Sequence, residues 1–150
     1  MDNEMVVNFP GGKRVDAHYN GFHIETDQSP KYGGKGAAPE PYDLFLASMA
    51  TCAGIYVLSF CERRGLPTEG LRLVQRWFRD GAGRLERIVL DVQLPEGFPE
   101  KYHRAVIRAA QQCTVKRTLD DPPELEVRVA TSGGESTARA ASMLPVAGQG

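Results

Sequence analysis

Three cysteines are the residues of this sequence best suited to chemistry, and their spacing limits what that chemistry can be. No two of them form a C-x-x-C motif, since they lie at positions 52, 61 and 113. The spacing therefore predicts neither a zinc knuckle nor a thioredoxin-type dithiol. Three cysteines in a reducing compartment also make no disulfide framework. Each one is therefore either a reactive thiol or an inert thiol of the core, where cysteine is among the most frequently buried residue types.

Cys52 lies at the middle of a stretch, Pro41 to Gly65, that predicts one long helix. Proline suits the first turn of a helix, and a charged last turn followed by glycine suits its end. No charged residue occurs from Leu44 to Cys61, which is typical of a helix buried on every side. A membrane span is the alternative, but about 18 uncharged residues is the lower limit of length and no second span follows. We expect a buried central helix in a soluble protein that has no membrane partner.

The other two cysteines fall in different surroundings. Nine residues at 100° each place Cys61 on the opposite side of the helix from Cys52, so Cys61 is predicted to be core. Cys113 falls at a predicted helix start, with Lys116 and Arg117 three and four residues later. The helix dipole and these charges should lower the pKa of its thiol. Cys52 has no charged residue among the eight before it, so another part of the fold must activate it.

Composition excludes several classes of partner. The 150 residues suit one domain, and 18 basic against 19 acidic side chains give no long-range attraction to nucleic acid or anionic lipid. The N-terminus has no basic region followed by an apolar core, so we expect a cytoplasmic protein. His18, His23 and His103 show no metal-ligand spacing, and we expect no metal and no cofactor. A zinc site built from cysteine and histidine remains an open alternative.

The segments around the central helix predict strands and short helices. Turn signals at Pro10 to Gly12, Asn20-Gly21 and Asp80 to Gly83 separate extended runs, and residues 27–40 form a loop long enough to suggest a function. The predicted strands are 4–9, 13–19, 22–26, 71–79, 84–94 and 124–131, and further helices cover 95–112 and the turns after Cys113. This order of three strands, buried central helix, two strands, one or two helices and a final strand predicts an α+β domain over residues 1–131, with a mobile tail at 132–150.

Two segments of the chain resemble the cysteine motifs of the OsmC/Ohr family, the osmotically inducible protein C and organic hydroperoxide resistance proteins. They are PYDLFLASMATC, with a cysteine eleven residues after the proline, and QQCTVKRTL some sixty residues later. The loop DQSPKYGGKGAAPEP is also similar, and the resemblance covers roughly residues 5 to 131. It implies an OsmC-like intertwined homodimer, in which sheet from both subunits encloses the central helices, and reduction of an organic hydroperoxide with a dithiol as reductant.

The resemblance also implies roles for two cysteines. Cys52 matches the position of the peroxidatic cysteine, which attacks a peroxide oxygen and becomes a sulfenic acid. Cys113 matches the resolving cysteine, which condenses with that sulfenic acid and limits over-oxidation.

The match to the family's activating residues is incomplete. The family supports its first cysteine with an arginine from the N-terminal sheet, for which Arg14 is the nearest counterpart and Lys13 the alternative. The carboxylate common just after the motif's proline is replaced by Tyr42, which leaves Asp43 as the candidate and Glu40 as its alternative. The missing carboxylate keeps a second class open: a non-catalytic redox-sensing or small-ligand-binding protein on the same fold.

Overall fold

The described part of the computed structural model, residues 3–131, contains two small antiparallel sheets and three α-helices. Short 3-10 turns precede the first and second helices, at Pro30–Tyr32 and Glu100–Tyr102. In chain order the elements are β1 Val6–Gly11, β2 Arg14–Tyr19, β3 Phe22–Ile24, α1 Pro41–Arg63, β4 Arg72–Arg79, β5 Leu85–Gln93, α2 His103–Gln111 and α3 Thr114–Asp120. The predicted order holds up to the last helix.

The N-terminal sheet has the order β1-β2-β3. Asn20 and Gly21 form the predicted two-residue turn, with φ of 49° and 78°, the backbone that a type I′ hairpin requires. The first turn lies slightly later than predicted, because Pro10 still belongs to β1. The register shifts between Asn8 and Gly11. Proline has no N–H to donate, so an irregular stretch of an edge strand accommodates it.

The second sheet is the β4–β5 hairpin, and its inner face covers part of α1. Gln75 of β4 lies opposite Leu90 of β5, and Trp77 lies opposite Ile88. The pairing is irregular at its end, where the register shifts between Phe78 and Arg79. Side chains of Gln75, Ile88 and Leu90 therefore point the same way, toward the central helix.

The core lies between the second half of α1 and α2. Its buried members are Val57, Phe60, Cys61, Phe98 and Val106. Cys61 is fully buried there, which confirms its assignment to the core. Burial raises the pKa of its thiol, so it remains protonated and inert. The predicted helix stop is confirmed as well: Gly65 has φ 61°, and the next N–H, that of Leu66, donates to the Cys61 carbonyl at 2.9 Å.

The central helix is buried on one side only, which corrects the expectation of burial all round. Five of its 23 residues are buried, whereas Ala47, Thr51 and Ile55 form an exposed stripe at four-residue spacing. The two sheets formed by residues 3–131 leave this side of the helix uncovered. By length and composition alone Pro41–Arg63 could cross a membrane, but the core helix of a soluble protein meets the same criterion.

The predicted final strand does not form in the described chain. Residues 122–130 belong to no strand, and only Thr131 is assigned to a bridge. The alternation that predicted a strand leaves Leu125, Val127 and Val129 exposed by 80%, 73% and 65%. Alternation specifies which side chains share a face, but a strand also needs an adjacent edge, and the two sheets of residues 3–131 place none beside this segment. The tail at 132–150 lies outside the described residues.

Candidate functional site

The fold brings Cys52 and Cys113 together. Cys52 lies half-buried in the middle of α1, and Cys113 is the residue before α3, with 2% of its surface exposed. The Cys52 thiol lies close enough to the Cys113 thiol to influence its pKa, and all three cysteines are free. The fold thus brings two cysteines that are far apart in sequence near each other, and their assignment as a catalytic pair stays a prediction.

The Cys113 thiol caps the helix that follows it. Its Sγ accepts a hydrogen bond from the backbone N–H of Lys116 at 3.2 Å. Burial nevertheless raises the pKa of the Cys113 thiol, the neighbouring Cys52 thiol adds to the rise, and the N–H of Lys116 only partly offsets them. The expectation of a lowered pKa is therefore wrong. The Lys116 ammonium bonds the Asp120 carboxylate at 2.8 Å.

A second contact joins the same two helices one turn further along α1. The hydroxyl of Tyr56 lies 2.9 Å from the hydroxyl of Thr114. Tyr56 follows Cys52 by four residues and so shares its helix face, and Thr114 directly follows Cys113. No pattern in the sequence indicated that Tyr56 has a partner on another helix.

An apolar cavity of about 320 Å³ opens beside Cys113. Its lining comes from three elements besides the Cys113 region: α1, the inner face of the β-hairpin, and α2. Seven apolar side chains form its walls: Met49, Ala53, Ile88, Leu90, Val92, Ile107 and Ala110. Three polar residues, Gln75, Gln111 and Lys116, complete the lining.

Met49 precedes Cys52 by three residues and so shares its face of α1, whereas the contribution of the hairpin to this cavity was not predicted. Gln75 was the available signal, since it is a polar residue on the apolar face of β4. Its Nε2 donates to the Leu46 carbonyl at 2.9 Å, which fixes β4 against α1.

Arg14 lies in an ion-pair network of the N-terminal sheet. Its Nη2 bonds the Asp16 carboxylate at 3.0 Å and the Glu25 carboxylate at 2.9 Å. Asp16 is 1% exposed and also bonds His23 Nε2 at 2.8 Å. Burial opposes ionisation of Asp16, but the bonds from His23 and from the Thr26 N–H, together with the Arg14 charge, hold its pKa below the usual value. The Arg14 side chain therefore serves a buried carboxylate within its own sheet.

The same network has a composition that could hold a metal ion. Three possible ligand atoms lie within 4.8 Å of one another, one from each of Asp16, His23 and Glu25. The Arg14 guanidinium bonds both carboxylates, so the protein itself supplies the positive charge that they require.

Asp43 lies at the start of α1. Its carboxylate accepts a hydrogen bond from the backbone N–H of Glu40 at 2.9 Å, and the Glu40 carboxylate accepts one from the Ser29 N–H at 3.1 Å. Asp43 precedes Cys52 by nine residues, which is about 13 Å along the helix axis. Within residues 3–131, no hydrogen bond or ion pair joins Arg14, Lys13, Asp43 or Glu40 to Cys52.

The loop between the N-terminal sheet and α1 is organised by Asp27, which sequence analysis did not single out. Its buried carboxylate accepts hydrogen bonds from the backbone N–H groups of Gln28, Lys35 and Ala37 at 2.8, 3.3 and 3.0 Å. These bonds, that from Ala37 foremost, hold the pKa of Asp27 below its usual value. At Gly34 a side chain would meet the Gln28 carbonyl oxygen at 1.9 Å, so only glycine fits this loop.

Three solved structures share this fold. A suggested osmotic stress induced and detoxification response protein from Psychrobacter arcticus 273-4 has a TM-score of 0.63 and 20% identity, over 76% of this chain and 85% of its own. An OsmC-like protein from Mycoplasma pneumoniae has a TM-score of 0.63 and 17% identity, over 81% and 89%. An organic hydroperoxide resistance protein OsmC from Legionella pneumophila, also described as a predicted redox protein, has a TM-score of 0.52 and 14% identity, over 79% and 90%.

Comparison of the sequence with protein families supports the same relationship. No curated protein matches the chain. Residues 34–128 match the OsmC-like protein family, a range that contains Cys52 and Cys113 and leaves Arg14 outside. This range is more than half of the chain, and the structural relatives share its fold. The chain belongs to the OsmC-like protein family.

Proposed function

We propose that this protein is a thiol-dependent peroxidase that reduces organic hydroperoxides in the cytoplasm, with Cys52 as nucleophile and Cys113 as resolving thiol. One observation carries the proposal: the fold brings Cys52 near Cys113, and Cys113 lines an apolar cavity together with Met49 and Ala53 from the same part of α1 as Cys52. An organic hydroperoxide supplies the oxidant, and a dithiol supplies the electrons that restore the protein.

The reaction takes two steps on the protein. The Cys52 thiolate attacks one peroxide oxygen, so that an S–O bond forms, the O–O bond breaks, and the alkoxide takes a proton and leaves as the alcohol. The sulfur of Cys113 then attacks the Cys52 sulfenic acid, which forms the disulfide and releases water. A dithiol reductant returns both cysteines to thiols and becomes a disulfide itself.

The raised pKa of Cys113 and the greater exposure of Cys52 fit their proposed roles as resolving thiol and nucleophile. Since its pKa is raised by burial, Cys113 stays protonated until the sulfenic acid forms next to it. Its proton can then leave with the hydroxyl of the sulfenic acid as water. Cys52 is the more exposed of the two, so a substrate reaches it more readily.

The cavity favours an apolar substrate. Its walls are predominantly aliphatic, and its volume of about 320 Å³ is at the lower end of the range for small-molecule sites. Burying an alkyl or aryl group there would contribute binding energy that hydrogen peroxide lacks. We therefore assign organic hydroperoxides with a compact apolar group as the substrate class.

A homodimer is part of the proposal. The exposed stripe of α1 and the unpaired segment at 124–130 leave apolar surface that a second copy could cover. Arg14 and Asp43 are retained as the residues that support Cys52, with Lys13 and Glu40 as alternatives. Their present partners lie within the N-terminal sheet and at the start of α1, so the second subunit would have to bring such groups to Cys52.

One observation favours a second function. Because no hydrogen bond or ion pair from a charged side chain to Cys52 is found among residues 3–131, the dithiol could instead act as a redox sensor that oxidises once without turnover. Such a sensor would need no fast nucleophile, only a disulfide that alters the start of α3.

Turnover with two cysteine variants tests the proposal. Wild-type protein should consume cumene hydroperoxide catalytically with a dithiol reductant, and Cys52→Ser should abolish this consumption. Cys113→Ser should reduce one equivalent per chain and then accumulate sulfenic or sulfinic acid at Cys52.

Three results would reject or change the assignment. Acid accumulating on Cys113 in the Cys52→Ser protein would exchange the two roles. Oxidation of one equivalent without turnover in the wild type would favour the sensor. Thiols that stay reduced under excess organic hydroperoxide would exclude both.

A further inference from the structure

Two pairs of residues from α1 and the start of α3 lie side by side. Cys52 lies near Cys113, and the hydroxyl of Tyr56 lies 2.9 Å from the hydroxyl of Thr114. Tyr56 stands one turn after Cys52, and Thr114 is the neighbour of Cys113. Tyr56 is therefore fixed relative to Cys52 by the helix that they share, and Thr114 is fixed relative to Cys113 by the peptide bond between them.

We propose that Tyr56 is a positioning residue, which holds Cys113 against Cys52 through its hydrogen bond to Thr114 and so speeds formation of the disulfide. The inference rests on the proposed two-cysteine reaction. The step concerned is the attack of the Cys113 sulfur on the Cys52 sulfenic acid, in which the S–S bond forms, the S–O bond breaks and water leaves.

The argument is one of effective concentration. Cys113 reacts quickly with Cys52 only when the start of α3 stays close to α1. Holding two reacting groups in the right geometry can account for a large part of a rate enhancement. α3 has only seven residues, and its first turn is capped by the very sulfur that must react. A cap that is consumed in the reaction cannot hold the helix in place afterward. The Tyr56–Thr114 hydrogen bond does not involve sulfur and persists through the step.

The position of Tyr56 implies that it affects disulfide formation but not the earlier reaction of Cys52 with peroxide. Its hydroxyl bonds Thr114, not a cysteine, so removing it should leave the reaction of Cys52 with peroxide unchanged. A residue that acted on the nucleophile would change that first step instead.

Four variants isolate the hydrogen bond. Tyr56→Phe and Thr114→Val each remove one hydroxyl, Thr114→Ser keeps it, and the double variant Tyr56→Phe/Thr114→Val removes both. Thr118→Val is the matched control on α3, since the Thr118 hydroxyl donates to the Thr114 carbonyl within that helix and does not reach α1.

The first measurement needs no peroxide. Each protein is equilibrated in glutathione redox buffers, and the Cys52–Cys113 disulfide is quantified by peptide mapping. Without the bond, the start of α3 can leave α1 in the dithiol form, whereas the disulfide holds it there. We therefore expect Tyr56→Phe and Thr114→Val to lower the equilibrium constant for the disulfide by up to about tenfold, the largest factor that one hydrogen bond allows. Thr114→Ser and Thr118→Val should match the wild type. The double variant should lose no more than either single variant, because both act through one bond.

The second measurement uses one equivalent of cumene hydroperoxide. Tyr56→Phe should consume it at the wild-type rate, but its disulfide should form more slowly and sulfinic acid at Cys52 should increase. Wild-type stability of the disulfide in Tyr56→Phe, or additive losses in the double variant, would overturn the inference. Absence of a Cys52–Cys113 disulfide in the wild type under glutathione would overturn it too. A disulfide that forms under glutathione but not under peroxide would instead reject the proposed function and leave the positioning role in place.

Discussion

Arg14 Nη2 lies 3.0 Å from the carboxylate of Asp16, a residue whose surface is 99% covered. A buried carboxylate needs a cation or several hydrogen bonds to remain ionised, and Arg14 supplies one of them. The guanidinium that the family resemblance assigns to Cys52 therefore also has a structural partner in its own sheet. The two roles can be separated by one pair of substitutions.

We expect Arg14→Gln to affect both stability and the first chemical step. Loss of the cation beside Asp16 should lower the melting temperature, and loss of the charge that we propose to support Cys52 should slow oxidation of Cys52 by at least about tenfold. Calorimetry and stopped-flow mixing with cumene hydroperoxide measure the two effects. Glu25→Gln is the control, since it keeps the guanidinium and its bond to Asp16. An Arg14→Gln protein that melts early yet oxidises at the wild-type rate would restrict Arg14 to the fold.

Substitution in the unpaired segment should test the dimer. Val127 is 73% exposed within one chain, so Val127→Glu should cost a monomer little. In a dimer that covers this segment, a buried unpaired carboxylate would weaken association strongly. Sedimentation should give twice the chain mass of 16.5 kDa for the wild type and a shift toward that mass for the variant.

The neighbouring residue provides the control for the dimer. Glu126 points to the other side of the extended segment, so Glu126→Gln should sediment as the wild type does. A wild-type protein that is a stable folded monomer at micromolar concentration would contradict the dimer.

Cys61→Ala should separate packing from chemistry. Cys61 is fully buried with Val57, Phe60 and Val106, and removal of its sulfur should lower the free energy of unfolding by about 1 to 2 kcal/mol. Peroxide turnover should stay close to that of the wild type, because Cys61 lies on the far side of α1 from Cys52. Denaturant titration and the turnover assay give the two values. A loss of turnover equal to that of Cys52→Ser, in a folded protein, would assign Cys61 to the site.

Asp27 should make stability depend on acidity below about pH 4. Its folded-state pKa is depressed by backbone hydrogen bonds, so its contribution is fully present above the unfolded pKa and is lost as the pH falls through the folded one. Asp27→Asn should lower stability at neutral pH and flatten the acid dependence. Thermal melts measure both effects when they are recorded from about pH 2.5 to about pH 7, a range that contains the titration of Asp27. An equal acid dependence in both proteins would show that other carboxylates cause it.

The sequence by itself determined the central helix and its ends. The proline at position 41 and the glycine at position 65 enclose the observed helix Pro41–Arg63, because caps and terminal backbone angles are set by residues within a few positions of each other. The Asn20-Gly21 turn and the core position of Cys61 follow from equally local rules of turn chemistry and helical periodicity. The two motifs also sufficed to identify the family.

Tertiary structure alone decided the properties that depend on distant neighbours. Contact between Cys52 and Cys113 requires α1 and α3 to pack together, and no local pattern encodes that approach. The pKa of Cys113 rises although a helix start and two cations predicted a fall, because burial by remote residues outweighs the local field. The alternating segment at 124–130 does not form a strand for the same kind of reason: alternation is a property of the segment, whereas pairing requires an edge that the chain places elsewhere.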